Sequence, residues 1–239
     1  MKLSISEVFY SIQGEGPTTG YPSVFVRLGG CNLMCGGMGT QFDGELHNAT
    51  WRCDTIEVWM KALLKNVTEV LGDIEHKALS NGTHIIITGG EPMMQQNGIE
   101  LFINYLKNLY PNIYIEIETN GTIKPSVSLQ QNVNQWNCSP KLSNSGNYIS
   151  QYFNLDTIIE LNKLNTQFKF VVSTNQDWEE IKSLYLPNID KNKVWLMPSG
   201  ENQKLLNQSK QVVAEIVKEN YLKFTNRLHI EIWNKKTGV

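Results

Sequence analysis

The stretch HIIITGGEP, from His84 to Pro92, joins a short apolar run rich in β-branched residues to a loop with two glycines, a glutamate and a proline. A run of this length that ends at glycine predicts a buried strand followed by a turn. Similar runs recur along the chain, and between them apolar residues repeat at helical intervals of three and four. The further strands are predicted at 23–28, 113–118, 136–139, 168–172, 194–197 and 228–233, and the helices at 56–70, 99–109, 155–164, 178–184 and 205–221.

This alternation of strands and helices predicts the fold class. Strands that alternate with helices form a largely parallel α/β sheet, here of roughly six strands, either open or curled into a partial barrel. The 239 residues are 41% hydrophobic and 18% charged, and no repeat or linker interrupts the pattern. That size and composition are enough for one hydrophobic core, so we expect a single domain over residues 1–239.

Charge and hydropathy argue against two classes of partner. The net charge is −2 and no run of like charges occurs, so we expect no nucleic-acid partner. The first residues lack the apolar core of a signal peptide, and no window approaches the roughly 18 apolar residues of a membrane span. We therefore expect a cytoplasmic protein without a membrane partner.

Polar loops follow four of the predicted strands. Because the carboxyl ends of parallel strands meet at one edge of the sheet, these loops predict one shared small-molecule site. A glycine in any single loop is also an ordinary turn residue, so the prediction depends on their common position. The loops are GGEP (89–92), TNG (119–121), PK (140–141) and PSG (198–200).

The cysteines are few and crowded. Cys31, Cys35 and Cys53 lie in the first quarter of the chain, whereas Cys138 is distant and is more simply a small buried hydrophobe. Close thiols in a cytosolic chain are more often metal ligands or catalysts than disulfides. A zinc site of three cysteines with His47 is one possibility. An iron–sulfur cluster with three thiolates is the other, and it would leave one iron open for a substrate or cofactor.

The cysteine motif carries a family resemblance. GCNLMC, followed by CDT and by TGGEP, resembles the radical S-adenosylmethionine (SAM) superfamily, with its CxxxCxxC signature and a GGEP segment that receives the SAM amino group. From about residue 7 to 239 the chain resembles 7-carboxy-7-deazaguanine synthases, which implies a partial β/α barrel of the radical SAM type. The segments in that family's order and spacing are YSIQGEGPTTGYPSVFVRLGGCNLMC, CDT, ITGGEP, IEIETNG, CSPK, FKFVV, WLMPSG and LHIEIWNKKTGV.

One departure from the superfamily pattern is the cluster loop. Two residues are usual between the second and third cysteines, but seventeen stand here, at 36–52. Loop closure costs about 0.6 kcal/mol per doubling of length, so three doublings add roughly 2 kcal/mol. Thiolate binding to a structural metal is worth on the order of 10 kcal/mol, which exceeds that cost. We therefore treat 36–52 as an inserted cluster loop that leaves the ligands unchanged.

The resemblance implies the cofactors. Cys31, Cys35 and Cys53 would bind a [4Fe–4S] cluster as the catalytic cysteines, and SAM would chelate the fourth iron and be cleaved to a 5′-deoxyadenosyl radical. For Met197 a place in the core at a strand end is an equal reading. The positions implied to meet the cofactors are Arg52, Cys53, Gly90, Glu91, Glu118, Asn120, Ser139, Pro140, Lys141, Met197, Pro198, Ser199 and Gly200.

The resemblance also implies the reaction. Family members convert 6-carboxy-5,6,7,8-tetrahydropterin to 7-carboxy-7-deazaguanine with loss of ammonia, in 7-deazapurine (queuosine-type) biosynthesis. Arg27 suits a carboxylate because its planar fork pairs with two oxygens. Glu15 is either a loop cap or a substrate contact. The implied substrate positions are Ile12, Gln13, Gly14, Glu15, Arg27, Thr88 and the terminal Val239.

The synthase family uses Mg²⁺, and Thr55 after CD is the matching hydroxyl. One protein hydroxyl with substrate oxygens and water is a plausible shell for this hard cation. The other reading is that Thr55 caps a helix that begins at Ile56, and Asp54 could do either job.

The family further implies a flavodoxin- or ferredoxin-type electron donor and a homodimer. Two other functions remain open at this stage. One is a glycyl-radical activase, which shares the cluster motif and GGEP but not QGEG or SPK. The other is a zinc-stabilised binding module with Cys31, Cys35, His47 and Cys53 as ligands.

Overall fold

The computed structural model describes residues 1–37 and 49–239, which form a mixed α/β domain. Nine strands in these residues form one sheet in the order β3-β1-β2-β4-β5-β6-β7-β8-β9, which does not close on itself. The strands are β1 (Lys2–Ile12), β2 (Pro22–Leu28), β3 (Leu63–Asn66), β4 (His84–Gly89), β5 (Ile115–Thr119), β6 (Gln135–Cys138), β7 (Thr166–Val172), β8 (Val194–Pro198) and β9 (Lys223–Phe224).

The predicted parallel sheet is confirmed. β2 and β4 to β8 are six of the predicted strands, and each pairs in parallel with the next. The short β9 continues this set in parallel beside β8, whereas β1 and β3 add two antiparallel strands at the opposite edge. The partial barrel therefore has three strands beyond the six that were expected.

β1 was missed because a bulge breaks its alternation. Ile5 pairs with Leu28 but Glu7 pairs with Arg27, so Ser6 is an extra residue in the ladder. A bulge of this kind moves the following residues to the opposite face of the strand. Ile5 therefore packs in the main core, whereas Phe9, four positions on, lines the cavity on the other face of the sheet. The period-2 signal is too short on either side of the bulge to indicate one strand.

The helix predicted at 56–70 is wrong, because two helices and a strand occupy this segment. α1 (Ile56–Trp59) is followed by β3, and α2 (Val67–Gly72) begins after it. β3 pairs with the first half of β1, so its backbone hydrogen bonds are satisfied by the sheet. Asn66 starts α2 through a capping box with Glu69, which separates the strand from the helix.

The strand predicted at 228–233 is also wrong. Those residues form the helix α10 (Leu228–Trp233), of which Ile230 is the buried residue. The place beside β8 is already taken by β9, so the alternating LHIEIW has no neighbouring strand with which to pair. Its backbone bonds are local, except that the Leu228 N–H donates to the Gly14 carbonyl at 2.9 Å and the Glu231 carbonyl accepts from the Gln203 side chain at 2.7 Å. Tertiary context overrides the β-like pattern here.

The remaining helices cover the outer face of the sheet. The predictions at 99–109, 155–164 and 205–221 are confirmed by α4 (Gln96–Leu109), α7 (Leu155–Lys163) and α9 (Gln203–Asn220). The prediction at 178–184 is confirmed by α8 (Asn175–Glu180) with a π-helical turn at Ile181–Tyr185. No helix in the described ranges is long and apolar enough to cross a membrane. These helices are α3 (His76–Ser80), α4 (Gln96–Leu109), α5 (Val127–Asn132), α6 (Ile149–Tyr152), α7 (Leu155–Lys163), α8 (Asn175–Glu180) and α9 (Gln203–Asn220).

Candidate active site

A cavity of about 1390 Å³ opens at the carboxyl ends of the parallel strands. The loops after β2, β4, β5, β6 and β8 all reach it, so the prediction that the strand-end loops share one site is confirmed. Of the sequence-predicted site residues, all line the cavity except Glu91, Pro140 and Pro198. A sheet with one polar edge has thus assembled side chains that are far apart in sequence.

The three predicted cluster cysteines converge on this cavity. Cys31 and Cys35 lie after β2, and the Cys53 N–H donates to the Cys35 carbonyl at 3.2 Å. Leu33 and Tyr152 pack with Cys35 as a small apolar cluster, against which Cys31 and Cys53 also lie. Burial raises the pKa of Cys31 to about 11 and that of Cys35 to about 12. Thiols in such a setting ionise readily only beside a cation, which fits them to ligate a metal.

The chemistry of these donors bears on which metal centre fits. Three thiols supply the ligand set expected for an iron–sulfur cluster with one open iron, whereas a zinc ion needs a fourth ligand. Among residues 1–37 and 49–239, no group of three or more His, Cys, Asp or Glu side chains is spaced to hold a single metal ion. His47 and most of the inserted loop lie outside the described residues.

Cys138 is separate from this group. It is fully buried on β6 within the main core, and burial raises its pKa above the usual range. The expectation that it is a small core residue agrees with this position.

Glu91 connects two of the strand-end loops rather than lining the cavity. Its carboxylate accepts hydrogen bonds from the Met93 N–H at 2.9 Å, the Thr119 hydroxyl at 2.8 Å and the Asn120 N–H at 2.6 Å. It is fully buried, and burial raises its pKa. Glu91 thus fixes the GGEP loop against the TNG loop, while a contact of its carboxylate with SAM stays a prediction.

Gly90 is required by a close approach of two loops. A Cβ on Gly90 would stand 2.0 Å from the Gly30 carbonyl oxygen, and the Glu91 N–H donates to that same oxygen at 2.9 Å. Only glycine lets the backbone after β4 lie this near the loop that leads to Cys31. The same contact brings the predicted SAM segment beside the cluster cysteines.

The loops after β6 and β8 supply further polar groups. The Lys141 ammonium donates to the carbonyl of Ser139 at 2.7 Å and to the hydroxyl of the same serine at 3.0 Å. The Ser173 hydroxyl donates to that of Ser199 at 2.7 Å. Met197 is 3% exposed yet lines the cavity, so its two readings as core and as site residue both describe it. Pro140 and Pro198 contribute to the course of the loops rather than to the cavity wall.

Thr55 occupies the N-cap position of α1 without capping it. No hydrogen bond joins its side chain to the first turn, and its hydroxyl lies 3.4 Å from the Cys53 sulfur at the cavity wall. The cap reading is therefore wrong for its side chain. Asp54 beside it is bound by Arg227, whose charge, outweighing burial, holds the pKa of Asp54 well below its usual range.

A hydrogen-bonded network of polar side chains forms the floor of the cavity. Glu118 accepts from the Gln13 amide at 3.1 Å and from the Thr88 hydroxyl at 2.7 Å. The Gln13 oxygen in turn accepts the Gly14 and Glu15 N–H groups. This network joins Glu118 to four of the predicted substrate positions, Gln13, Gly14, Glu15 and Thr88, which strands β4 and β5 and the loop after β1 hold together.

Two cations in the site were missed from the sequence. Lys169 lies 3.1 Å from Glu15 and 3.7 Å from Glu118, and the Arg227 Nε donates to Glu15 at 3.1 Å. Burial would raise the pKa of Glu15, but the charges of Lys169 and Arg227 outweigh it and lower the pKa to about 2. Glu15 is therefore not a loop cap. The lysine inside the apolar run FKFVV could have indicated a buried ion pair, because buried charges are rare without a partner.

The remaining predicted positions line the cavity and are held by other polar groups. The Arg27 Nε donates to Glu7 at 2.7 Å, and the Val239 carbonyl accepts from the Ser11 hydroxyl. Arg52 lies 2.9 Å from Glu57 and 3.8 Å from Glu201. Asn120 donates through its side chain to the Asn32 oxygen at 2.9 Å.

Comparison with known proteins shows the family of the chain. A 7-carboxy-7-deazaguanine synthase of Pyrobaculum aerophilum is 31% identical over 99% of this chain and 97% of its own length. The chain belongs to the 7-carboxy-7-deazaguanine synthase family. The synthase of Halobacterium salinarum is 30% identical over 97% of this chain and 91% of its own. No protein-family model matches the chain.

A solved structure shows the same fold. The crystal structure of QueE from Escherichia coli superposes with a TM-score of 0.66 at 22% identity, and the match covers 96% of this chain and 95% of that one. These relatives confirm the expected family, and they confirm the expectation that the chain is an enzyme. They also favour the synthase over the activase and the zinc module that the sequence left open.

Proposed function

We propose that the chain is a radical SAM lyase that converts 6-carboxy-5,6,7,8-tetrahydropterin to 7-carboxy-7-deazaguanine with loss of ammonia, in 7-deazapurine (queuosine-type) biosynthesis. The observation that carries the proposal is the convergence of Cys31, Cys35 and Cys53 with the GGEP, TNG and QGEG loops on one cavity. The full-length similarity to named synthases supports the same assignment.

The cysteines would hold a [4Fe–4S] cluster and the strand-end loops would hold SAM. When bound, these groups supply the reductive cleavage that starts hydrogen abstraction from the substrate. The chain's own part is to keep three thiols in an apolar pocket and to bring Gly90 beside them. Exclusion of water from such a cavity strengthens each polar contact inside it.

The floor of the cavity suits the pterin. Glu118 and Gln13 carry acceptors and donors that could face the polar edge of a flat heterocycle, and Thr88 orients the Glu118 carboxylate. Lys169 and Arg227 keep Glu15 ionised, as its lowered pKa indicates. An ionised, fixed carboxylate is a strong acceptor for the N–H groups of such a ring.

Arg27 and Thr55 would meet the substrate at its carboxylate end. Arg27 lines the cavity and is suited to a carboxylate. The Thr55 hydroxyl makes no cap bond and contacts the Cys53 sulfur at 3.4 Å, so it would still have a lone pair for Mg²⁺, which prefers oxygen ligands and often keeps waters. A flavodoxin- or ferredoxin-type electron donor, a homodimeric assembly and a cytoplasmic location belong to the proposal, because the family resemblance implies them.

The test is a reaction under anaerobic conditions. Protein with a reconstituted cluster is reduced and incubated with SAM, Mg²⁺ and the carboxytetrahydropterin, and 7-carboxy-7-deazaguanine is sought by mass spectrometry. Formation of the deazaguanine supports the proposal. Cleavage of SAM with an unchanged pterin would contradict the substrate, and zinc uptake without absorbance near 400 nm would contradict the cluster.

A further inference from the structure

The bulge in β1 has brought a second charged side chain beside Arg27. In a regular ladder without the bulge, the pairing of Ile5 with Leu28 would continue with Ser6 opposite Arg27. With it, Glu7 stands directly opposite Arg27 on the same face of the sheet, and the two side chains form an ion pair at 2.7 Å. Bulges next to active sites re-aim side chains in this way.

Glu7 itself does not reach the cavity. Arg27, Phe9 and Ser6 line the cavity wall at this point, but Glu7 does not. Its carboxylate meets that wall through the ion pair with Arg27 at 2.7 Å. We therefore expect an effect of Glu7 on binding to act through Arg27.

The contacts of Arg27 leave one edge of its guanidinium open. The Nε donates to Glu7, and the guanidinium carbon lies 5.6 Å from the centre of the Phe9 ring. Phe9 is itself stacked on Phe25 at 4.9 Å, which limits its movement. Within the described part of the chain, neither Nη atom of Arg27 has a hydrogen-bond partner. A guanidinium held at Nε and along one face presents the two remaining nitrogens as a fork, which matches a planar carboxylate.

We infer that Glu7 is a positioning residue that holds Arg27 by its Nε so that the two Nη atoms bind the carboxylate of the substrate. The inference rests on the proposed function, since it takes a ring-bound carboxylate as the ligand of Arg27. It gives the β1 bulge a purpose, because the bulge is what places Glu7 opposite Arg27.

An alternative role for Glu7 predicts the opposite change in ligand affinity. A carboxylate 2.7 Å from Arg27 could instead neutralise the cation and compete with the carboxylate of the ligand. If Glu7 positions Arg27, its removal weakens binding of a carboxylated ligand, whereas if Glu7 competes, its removal strengthens that binding. One set of variants therefore separates the two.

The experiment measures binding of two stable pterins to the cluster-loaded protein with SAM present. The probes are 6-carboxypterin and pterin, which lacks the carboxylate, and calorimetry gives each Kd. We expect Glu7→Ala to raise the Kd of 6-carboxypterin about tenfold and to leave that of pterin unchanged. Glu7→Gln keeps an oxygen that accepts a hydrogen bond from the Arg27 Nε. Its Kd for 6-carboxypterin should therefore stay within about threefold of the wild-type value. SAM affinity should be the same in all variants.

Asp73→Ala is the matched control. Asp73 pairs with Lys65 at 2.7 Å on the same edge of the sheet, and the pair is exposed and is not part of the cavity lining. Its removal should change neither Kd. Melting temperatures of all variants show whether any of them has lost its fold, and Glu7→Gln keeps the test valid if Glu7→Ala is unstable.

The experiment distinguishes a wrong substrate from a wrong role for Glu7. If the wild-type protein binds neither pterin, the proposed substrate is wrong. If it binds both pterins equally, the carboxylate contact and the role of Glu7 are overturned together. If it prefers 6-carboxypterin but Glu7→Ala binds it as well or more tightly, only the positioning role is wrong. Equal weakening of both pterins in Glu7→Ala, or a tenfold loss in Glu7→Gln, would likewise overturn it.

Discussion

At the scale of single residues, the four cysteines of the chain divide into two environments. Cys31, Cys35 and Cys53 line the cavity, whereas Cys138 is buried in the main core. We expect Cys53→Ala to lose the absorbance near 400 nm after anaerobic reconstitution, because one thiolate ligand is absent. Cys138→Ala should keep that absorbance. Loss of the cluster in Cys138→Ala with an intact fold would mean that the ligands are misassigned.

Thr55 is the residue for which the structure separates two sequence readings most clearly. Because its hydroxyl makes no cap bond, Thr55→Ala should change the free energy of unfolding by less than about 0.5 kcal/mol. The same change should raise the Mg²⁺ concentration for half-maximal activity at least about tenfold, because an oxygen ligand is lost. Urea denaturation and a Mg²⁺ titration measure the two effects.

Two further variants complete this comparison. Thr55→Ser keeps the hydroxyl and should respond to Mg²⁺ as the wild type does. Ser126 is a true N-cap whose hydroxyl accepts from the Leu129 N–H at 3.2 Å, so Ser126→Ala should cost about 1 kcal/mol. A loss of that size in Thr55→Ala would restore the capping role.

At the scale of elements, the strands with continuous apolar runs were predictable and the edge elements were not. β4 and β7 are buried on both faces, so composition alone identifies them. β1 carries a bulge, and β3 has Leu63 and Leu64 both exposed, so neither shows a clean period of two. The LHIEIW segment alternates well but finds no partner strand. Local pattern determines an element only where the neighbours are also regular.

The tight packing of strand-end loops leads to an element-scale prediction. Gly90→Ala would place a methyl group 2.0 Å from the Gly30 carbonyl, so the two loops must separate. We expect a loss of about 1–3 kcal/mol in the free energy of unfolding, with weaker SAM binding in calorimetry. Gly72 in α2 has open space at its Cβ, and Gly72→Ala should be neutral or slightly stabilising. Equal stability of both variants would contradict the close approach.

At the scale of the whole molecule, the sequence predicted which loops form the site but not the ion pairs that connect them. The strand-end rule identified the edge of the sheet, and the family resemblance identified residues from 12 to 239 that do line one cavity. Lys169 and Arg227 were missed because their partners are distant in sequence. Glu15 lies 154 positions from Lys169 and 212 from Arg227, and no local pattern signals such pairs.

That network makes a prediction about acid stability. The pKa of Glu15 is about 4.5 in an unfolded chain and about 2 in the folded protein. A carboxylate whose pKa is lowered by folding adds stability above the unfolded value and loses it as pH falls through the folded value. The free energy of unfolding should therefore fall between about pH 4.5 and pH 2, and Asp54 contributes in the same direction.

Urea denaturation at stepped pH measures this dependence. Glu15→Gln should fall less steeply over that range, because it has no carboxylate to protonate. Glu219 is an exposed glutamate of α9, and Glu219→Gln should follow the wild-type curve. An unchanged slope in Glu15→Gln would show that Glu15 is not the group that titrates.

Arg227 has a consequence for how such a chain can evolve. Its guanidinium bonds Glu15 after β1, Asp54 before α1 and the Gly200 carbonyl after β8, so one side chain joins three loops. A change in any one partner leaves a buried charge without its match, which is costly. We therefore expect an alignment of relatives to show correlated substitutions at positions 15, 54 and 227.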